Sequence, residues 1–119
     1  MSCLGVRGAT VADANTPEAI CEAARELLLA IVNANGIQSH DIAAAYFTAT
    51  PDLTAAFPAS AARSLGWHDV ALLDAQAPAV PGDPERCIRV LILWNNGEEA
   101  AAVKHVYLKA ASRLRPDRV

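Results

Sequence analysis

The chain has 119 residues, of which 53% are hydrophobic and 19% charged, a composition that excludes intrinsic disorder and fits one globular domain over 1–119. A net charge of −3 supplies no field for nucleic acid or anionic lipid. No segment approaches the roughly 20 uninterrupted apolar residues that cross a bilayer, so no membrane partner is expected.

Redox setting and basic residues narrow the field further. Cys3, Cys21 and Cys87 are odd in number and far apart, against a disulfide framework and against paired-cysteine zinc spacing. The N-terminus has no basic stretch leading into an apolar one, so a signal peptide is not expected and a reducing cytoplasm fits. Eight of the ten basic residues are Arg, whose planar fork binds carboxylates bidentately where a lysine offers only a point charge.

In chain order, Leu4 to Val11 reads as a strand, with Gly5 and Gly8 marking close approach of backbone or ligand. Thr16 then Pro17 starts a helix: a capping hydroxyl followed by a preset φ. Ile20, Ala24, Leu27, Leu28 and Ile31 recur at helical spacing, and Asn35-Gly36 closes the element. Ile42 to Thr50 is a second strand, and Pro58 to Gly66 a short helix with Ala61, Ala62 and Leu65 inward. Val70 to Leu73 is a third strand. The three prolines and one glycine from Pro78 to Pro84 demand a loop. Cys87 to Asn95 is an apolar, β-branched run and the strongest strand signal, broken at Gly97. Glu98 to Leu114 is ambiguous between an alanine-rich helix and a short strand at His105 to Leu108, and Arg115-Pro116 ends it. The order predicts an α+β domain: a mixed sheet with one long and one short helix on one face.

Arg89 is the anomaly of this pattern, because every neighbour from Cys87 to Trp94 is apolar. A guanidinium on such a strand is costly unless paired, so it marks a snorkelling edge arginine, a structural ion pair or an anion site. Arg7, between Val6 and Gly8, repeats the situation. Arg63 and Arg115 read as ordinary surface arginines, and Tyr107 as a half-buried aromatic able to donate its hydroxyl. His40, His68 and His105 lack metal-ligand spacing, and no nucleophile elbow, phosphate-cradling loop or dinucleotide fingerprint occurs. Neither metal nor cofactor is expected. Asp13 and Asp52 read as cap or turn residues.

These pieces resemble a known family. Val6-Arg7-Gly8-Ala9-Thr10 resembles the opening motif of the AroH-type chorismate mutases. So do Thr48-Ala49-Thr50-Pro51-Asp52-Leu53, Ala56-Phe57-Pro58-Ala59, Ala62-Arg63 and Gly66-Trp67. Cys87-Ile88-Arg89-Val90, His105-Val106-Tyr107-Leu108 and Leu114-Arg115-Pro116-Asp117 complete a series that covers almost the whole chain. The resemblance implies a Bacillus-chorismate-mutase-like homotrimer, a pseudo-α/β-barrel with its pockets between subunits, and rearrangement of chorismate to prephenate without a cofactor. It implies that Phe57, Ala59, Arg63, Leu72, Leu73, Asp74, Ala75, Gln76 and Ala77 face the pocket from one subunit, and Arg7, Arg89, Tyr107 and Arg115 from its neighbour. It also implies that Arg89 touches the ether oxygen and a carboxylate of the substrate, and that 105–108 is a strand. The four residues after Arg115, Pro116 to Val119, could order over the substrate as a lid.

The family's glutamate aligns with Ala77. Three readings stand: an attenuated natural enzyme, a deliberate or drifted variant, or a carboxylate shifted to Asp74, and the third is preferred. A non-catalytic trimeric module that binds chorismate or a similar dicarboxylate is the alternative class.

Overall fold

The computed structural model describes residues 2–95 and 102–114. Strand β1 (Cys3–Val11) is followed by helix α1 (Pro17–Asn35), strand β2 (Ile42–Ala49) and the short helix α2 (Ala59–Ser64). Strands β3 (Ala71–Gln76), β4 (Cys87–Asn95) and β5 (Val106–Tyr107) complete one five-stranded sheet in the order β3-β2-β4-β1-β5. The sheet is mixed: β4 lies antiparallel between β2 and β1, while β3 and β5 pair in parallel at the edges. None of the helices among the described residues is long and apolar enough to cross a membrane.

Local chemistry sets the limits of α1. Thr16 is extended at φ −132° and its hydroxyl accepts from the Ala19 N–H at 3.1 Å, satisfying one of the orphan donors of the first turn. Gly36 takes the left-handed φ of 67° and donates to the Val32 carbonyl at 2.8 Å, which stops the helix. Ile20, Ala24, Leu27, Leu28 and Ile31 are fully buried, as their spacing requires, and pack on one face of the sheet against Val6, Ala45, Phe47, Ile88 and Ile92.

Gly8 fixes how closely α1 approaches. A Cβ there would lie 2.6 Å from Ile31 Cδ1, 3.1 Å from Leu27 Cδ1 and 3.0 Å from the Val106 carbonyl oxygen. Its missing side chain therefore serves the seating of α1 and β5, so the close approach is that of the protein's own packing.

The structure departs from the sequence reading in two elements. β3 starts at Ala71 and runs to Gln76, so Asp74 sits inside a strand opposite Phe47 and not at a strand end. Backbone pairing with β2 carries the ladder past the last apolar residue, and the Ala77 N–H still donates to the Ala49 carbonyl at 2.9 Å. In the ambiguous C-terminal region both propensities are expressed in turn. Val106–Tyr107 adds to β1, Lys109 reverses the chain at φ 54°, and Lys109–Leu114 winds as a 3-10 helix.

The other face of the sheet meets the 3-10 helix at one end, where Ala111 packs on Ala9 and Cys87. Tyr46, Leu73 and Leu91 stand on it at 42%, 57% and 37% exposure, an apolar surface that a two-layer domain leaves open.

Candidate active site

Two clefts gather the chemistry, and each takes its side chains from different strands. The first lies on the open face of the sheet. Arg7 pairs across from Leu91, while Arg89 pairs with Ala9 on one side and Thr48 on the other. Alternation along the strands thus puts both guanidiniums on the face opposite Val6 and Ile92, as diagonal neighbours. Tyr107 joins them because β5 aligns it with Ala9. Arg7, Arg89 and Tyr107, with Tyr46, Thr48 and Leu114, line a cleft of about 460 Å³. The backbone N–H of Arg7 donates to His105 Nδ1 at 2.9 Å, which ties β1 to the chain entering β5.

Arg89 occupies the centre of the sheet and not an edge, so its charge has to be compensated in place. Its Nη2 donates to Asp83 Oδ1 at 2.8 Å, with both side chains partly buried. The start of β4 is held by a second network. The Thr50 hydroxyl donates to Asp52 Oδ1 at 2.5 Å and accepts from the Cys87 N–H at 2.9 Å, while Asp52 Oδ2 accepts from the Arg86 N–H at 2.9 Å. Burial alone would raise the Asp52 carboxyl. The hydrogen bonds from Thr50 and Arg86, with the charge of Arg86, outweigh it and hold the group below its ordinary value of 3.8. This clamp joins the end of β2 to β4 two residues before Arg89. Cys87 is buried at the same junction, and burial pushes its thiol up.

The second cleft, about 360 Å³, opens between β3 and the approach to α2 and includes Thr50, Phe57, Pro58, Asp74, Ala75 and Gln76 in its lining. Phe57 is two-thirds exposed at 67%. Asp74 Oδ1 accepts from the Ala59 N–H at 3.0 Å, at the start of α2. Its carboxyl is raised above the ordinary 3.8 by burial, against the opposing pull of the Ala59 N–H and the Arg63 charge.

The remaining sequence candidates divide. Ala59 is fully buried and contributes its backbone N–H, and Arg63 is exposed on α2. Leu72 packs against the core beneath the helices, whereas Leu73 stands on the open face. Ala77 is 5% exposed and lies outside the lining of the second cleft. Arg115 and the tail 115–119 lie outside the described residues. Sequence reasoning did not single out Asp83, although the Pro-Gly-Asp-Pro run around it was the available signal.

The sequence matches the family described as chorismate mutase type I over residues 3–118. The chain belongs to the type I chorismate mutases. The chorismate mutase AroH of Thermus thermophilus is 56% identical over 114 residues, covering 95% of this chain and 93% of the relative. The chorismate mutase AroH of Bacillus subtilis strain 168 is 38% identical over 114 residues, covering 95% and 90%. A solved chorismate mutase from Clostridium thermocellum matches the fold at a TM-score of 0.89 and 41% identity, over 92% of this chain and 97% of that one. The mixed five-stranded sheet described above is therefore that of a chorismate mutase.

Proposed function

We propose that the chain rearranges chorismate to prephenate, in the cytoplasm, at pockets formed where the two clefts of neighbouring subunits of a homotrimer meet. The observation that carries this is the convergence of Arg7, Arg89 and Tyr107 on one open cleft. The reaction is a unimolecular [3,3] shift: one C–O bond breaks as one C–C bond forms, and no proton is transferred. A catalyst needs only to hold a compact conformer and to stabilise negative charge growing on the ether oxygen. Arg89 faces that oxygen and a substrate carboxylate, and Arg7 and Tyr107 hold the other polar groups. Two carboxylates on the substrate account for an arginine cluster in an acidic protein.

Asp74 stands in for the glutamate that Ala77 lacks. One of its carboxylate oxygens is committed to the Ala59 N–H, which fixes the group, and the residue lines the cleft beside Phe57 and Gln76. Its role is to accept the substrate hydroxyl and to face the positive charge that develops on the dissociating fragment. The open apolar face bearing Tyr46, Leu73 and Leu91 is what the neighbouring subunits cover.

Loss of chorismate absorbance on adding the purified protein tests the proposal, alongside sedimentation for the subunit number. Turnover well above the buffer rate from a trimer is expected. Binding without turnover would instead favour a dicarboxylate-binding module, and a monomeric species would remove the shared pocket.

A further inference from the structure

We propose that Asp83 is a positioning residue that aims the Arg89 guanidinium into the cationic cleft, an inference that rests on the role given to Arg89 above. Asp83 does not line that cleft. It lines a separate hollow with Val80, Pro81 and Arg113, and reaches Arg89 Nη2 at 2.8 Å from there. A guanidinium has five N–H donors in a rigid fork, so engaging the terminal Nη2 orients the others.

The turn that delivers Asp83 is stiff by composition. The Asp83 N–H donates to the Val80 carbonyl at 3.2 Å, closing a four-residue turn with Pro81 second and Gly82 third. Gly82 has φ 86°, the left-handed value a type II turn requires at that position. Pro84 follows directly and disfavours helical backbone at Asp83. The carboxylate is thus presented at a fixed place before any ligand arrives. An arginine side chain otherwise loses rotamer freedom when it is ordered on the substrate. Setting it in advance moves that loss from the transition state to folding.

A carboxylate here opposes a dianionic substrate electrostatically, so a purely competing Asp83 would weaken binding. A positioning Asp83 acts on the step in which charge grows on the ether oxygen. The two roles separate in kinetics. Asp83→Ala is expected to lower kcat by about tenfold, since misplacing a catalytic group by an ångström costs up to about 10²-fold, while KM shifts less than about threefold. Asp83→Asn retains an acceptor oxygen and recovers part of the loss. In an Arg89→Lys background Asp83→Ala adds little further loss. An unchanged kcat, a fall in KM alone, or a full additional loss in the Arg89→Lys background overturns the proposal.

A readout independent of turnover keeps the two ideas separable. The Arg89 Nη–H resonances in a ¹H–¹⁵N spectrum of the unliganded protein are expected to be slowly exchanging in the wild type and broadened in Asp83→Ala, with thermal unfolding confirming that the variant is folded. Identical Arg89 resonances in the two proteins sink the positioning role even if the wild type is active. Absence of wild-type turnover removes the assigned reaction, and the resonance still decides whether Asp83 fixes the guanidinium.

Discussion

The cationic cleft and the carboxylate cleft differ in more than charge. Arg7 and Arg89 project from the open face of the sheet, whereas Asp74 pairs with Phe47 on the face that the helices cover. Strand alternation forbids residues of opposite parity from sharing a face, so one copy of the chain does not bring Asp74 to the arginines. The cationic half rests on three strands, with nine partner pairs between β1 and β4 and two between β1 and β5. The carboxylate half rests on one edge strand and the first turn of a six-residue helix.

Subunit mixing gives the strongest test of this division. Arg89→Ala is expected to lower kcat/KM by at least about 10³, because a charged donor is lost where a single neutral donor costs about 10² to 10³. Asp74→Asn is expected to cost about 10² in kcat. Unfolded and refolded together in equal amounts, the two inactive proteins should regain about a quarter of wild-type turnover, since each interface draws one half from each neighbour at random. No recovery would mean that both residues act within one subunit.

The pH dependence sharpens the same contrast. In the role proposed for it Asp74 acts ionised, and burial raises its carboxyl above 3.8, so the acid limb of kcat is expected above that ordinary value and absent in Asp74→Asn. Stability runs the other way. A folded-state value above the unfolded one favours the fold in acid, below the unfolded value, and that contribution is lost as pH rises through the folded value. Urea midpoints across that window, compared between wild type and Asp74→Asn, check the sign.

Two smaller effects probe the scaffolds. Gly8→Ala is expected to destabilise by about 1–3 kcal/mol in urea unfolding, because the added Cβ meets Ile31 Cδ1 at 2.6 Å and the Val106 carbonyl oxygen at 3.0 Å. Thr50→Val leaves the Cys87 N–H without its acceptor and is expected to cost about 1–2 kcal/mol in urea unfolding.

Much of this was legible in the residues. The cap at Thr16, the closing Gly36 and the apolar spacing fixed α1, and the run from Cys87 to Asn95 marked the central strand. Arg89 stood out because a charge there has to be answered, but the answer from Asp83 depends on a turn folding back six positions, which periodicity does not encode. The length of β3 was missed because Asp74 and Gln76 break the apolar run while the backbone ladder continues. The parity that separates Asp74 from the arginines needs the pairing register, which a single chain's pattern does not specify. Ala77 could be read as a vacancy only through the family resemblance.

The pairing of β1 with β4 joins Cys3 to Asn95 and Val11 to Cys87, partners that stand far apart in the sequence. A growing polypeptide therefore exposes its opening strand, alanine-rich helix and all, until most of the message has been read. Contacts this distant in sequence slow collapse to the native topology. Synthesis of this protein consequently places its aggregation hazard before release from the ribosome, and chaperone demand should track that interval more than the stability of the finished fold.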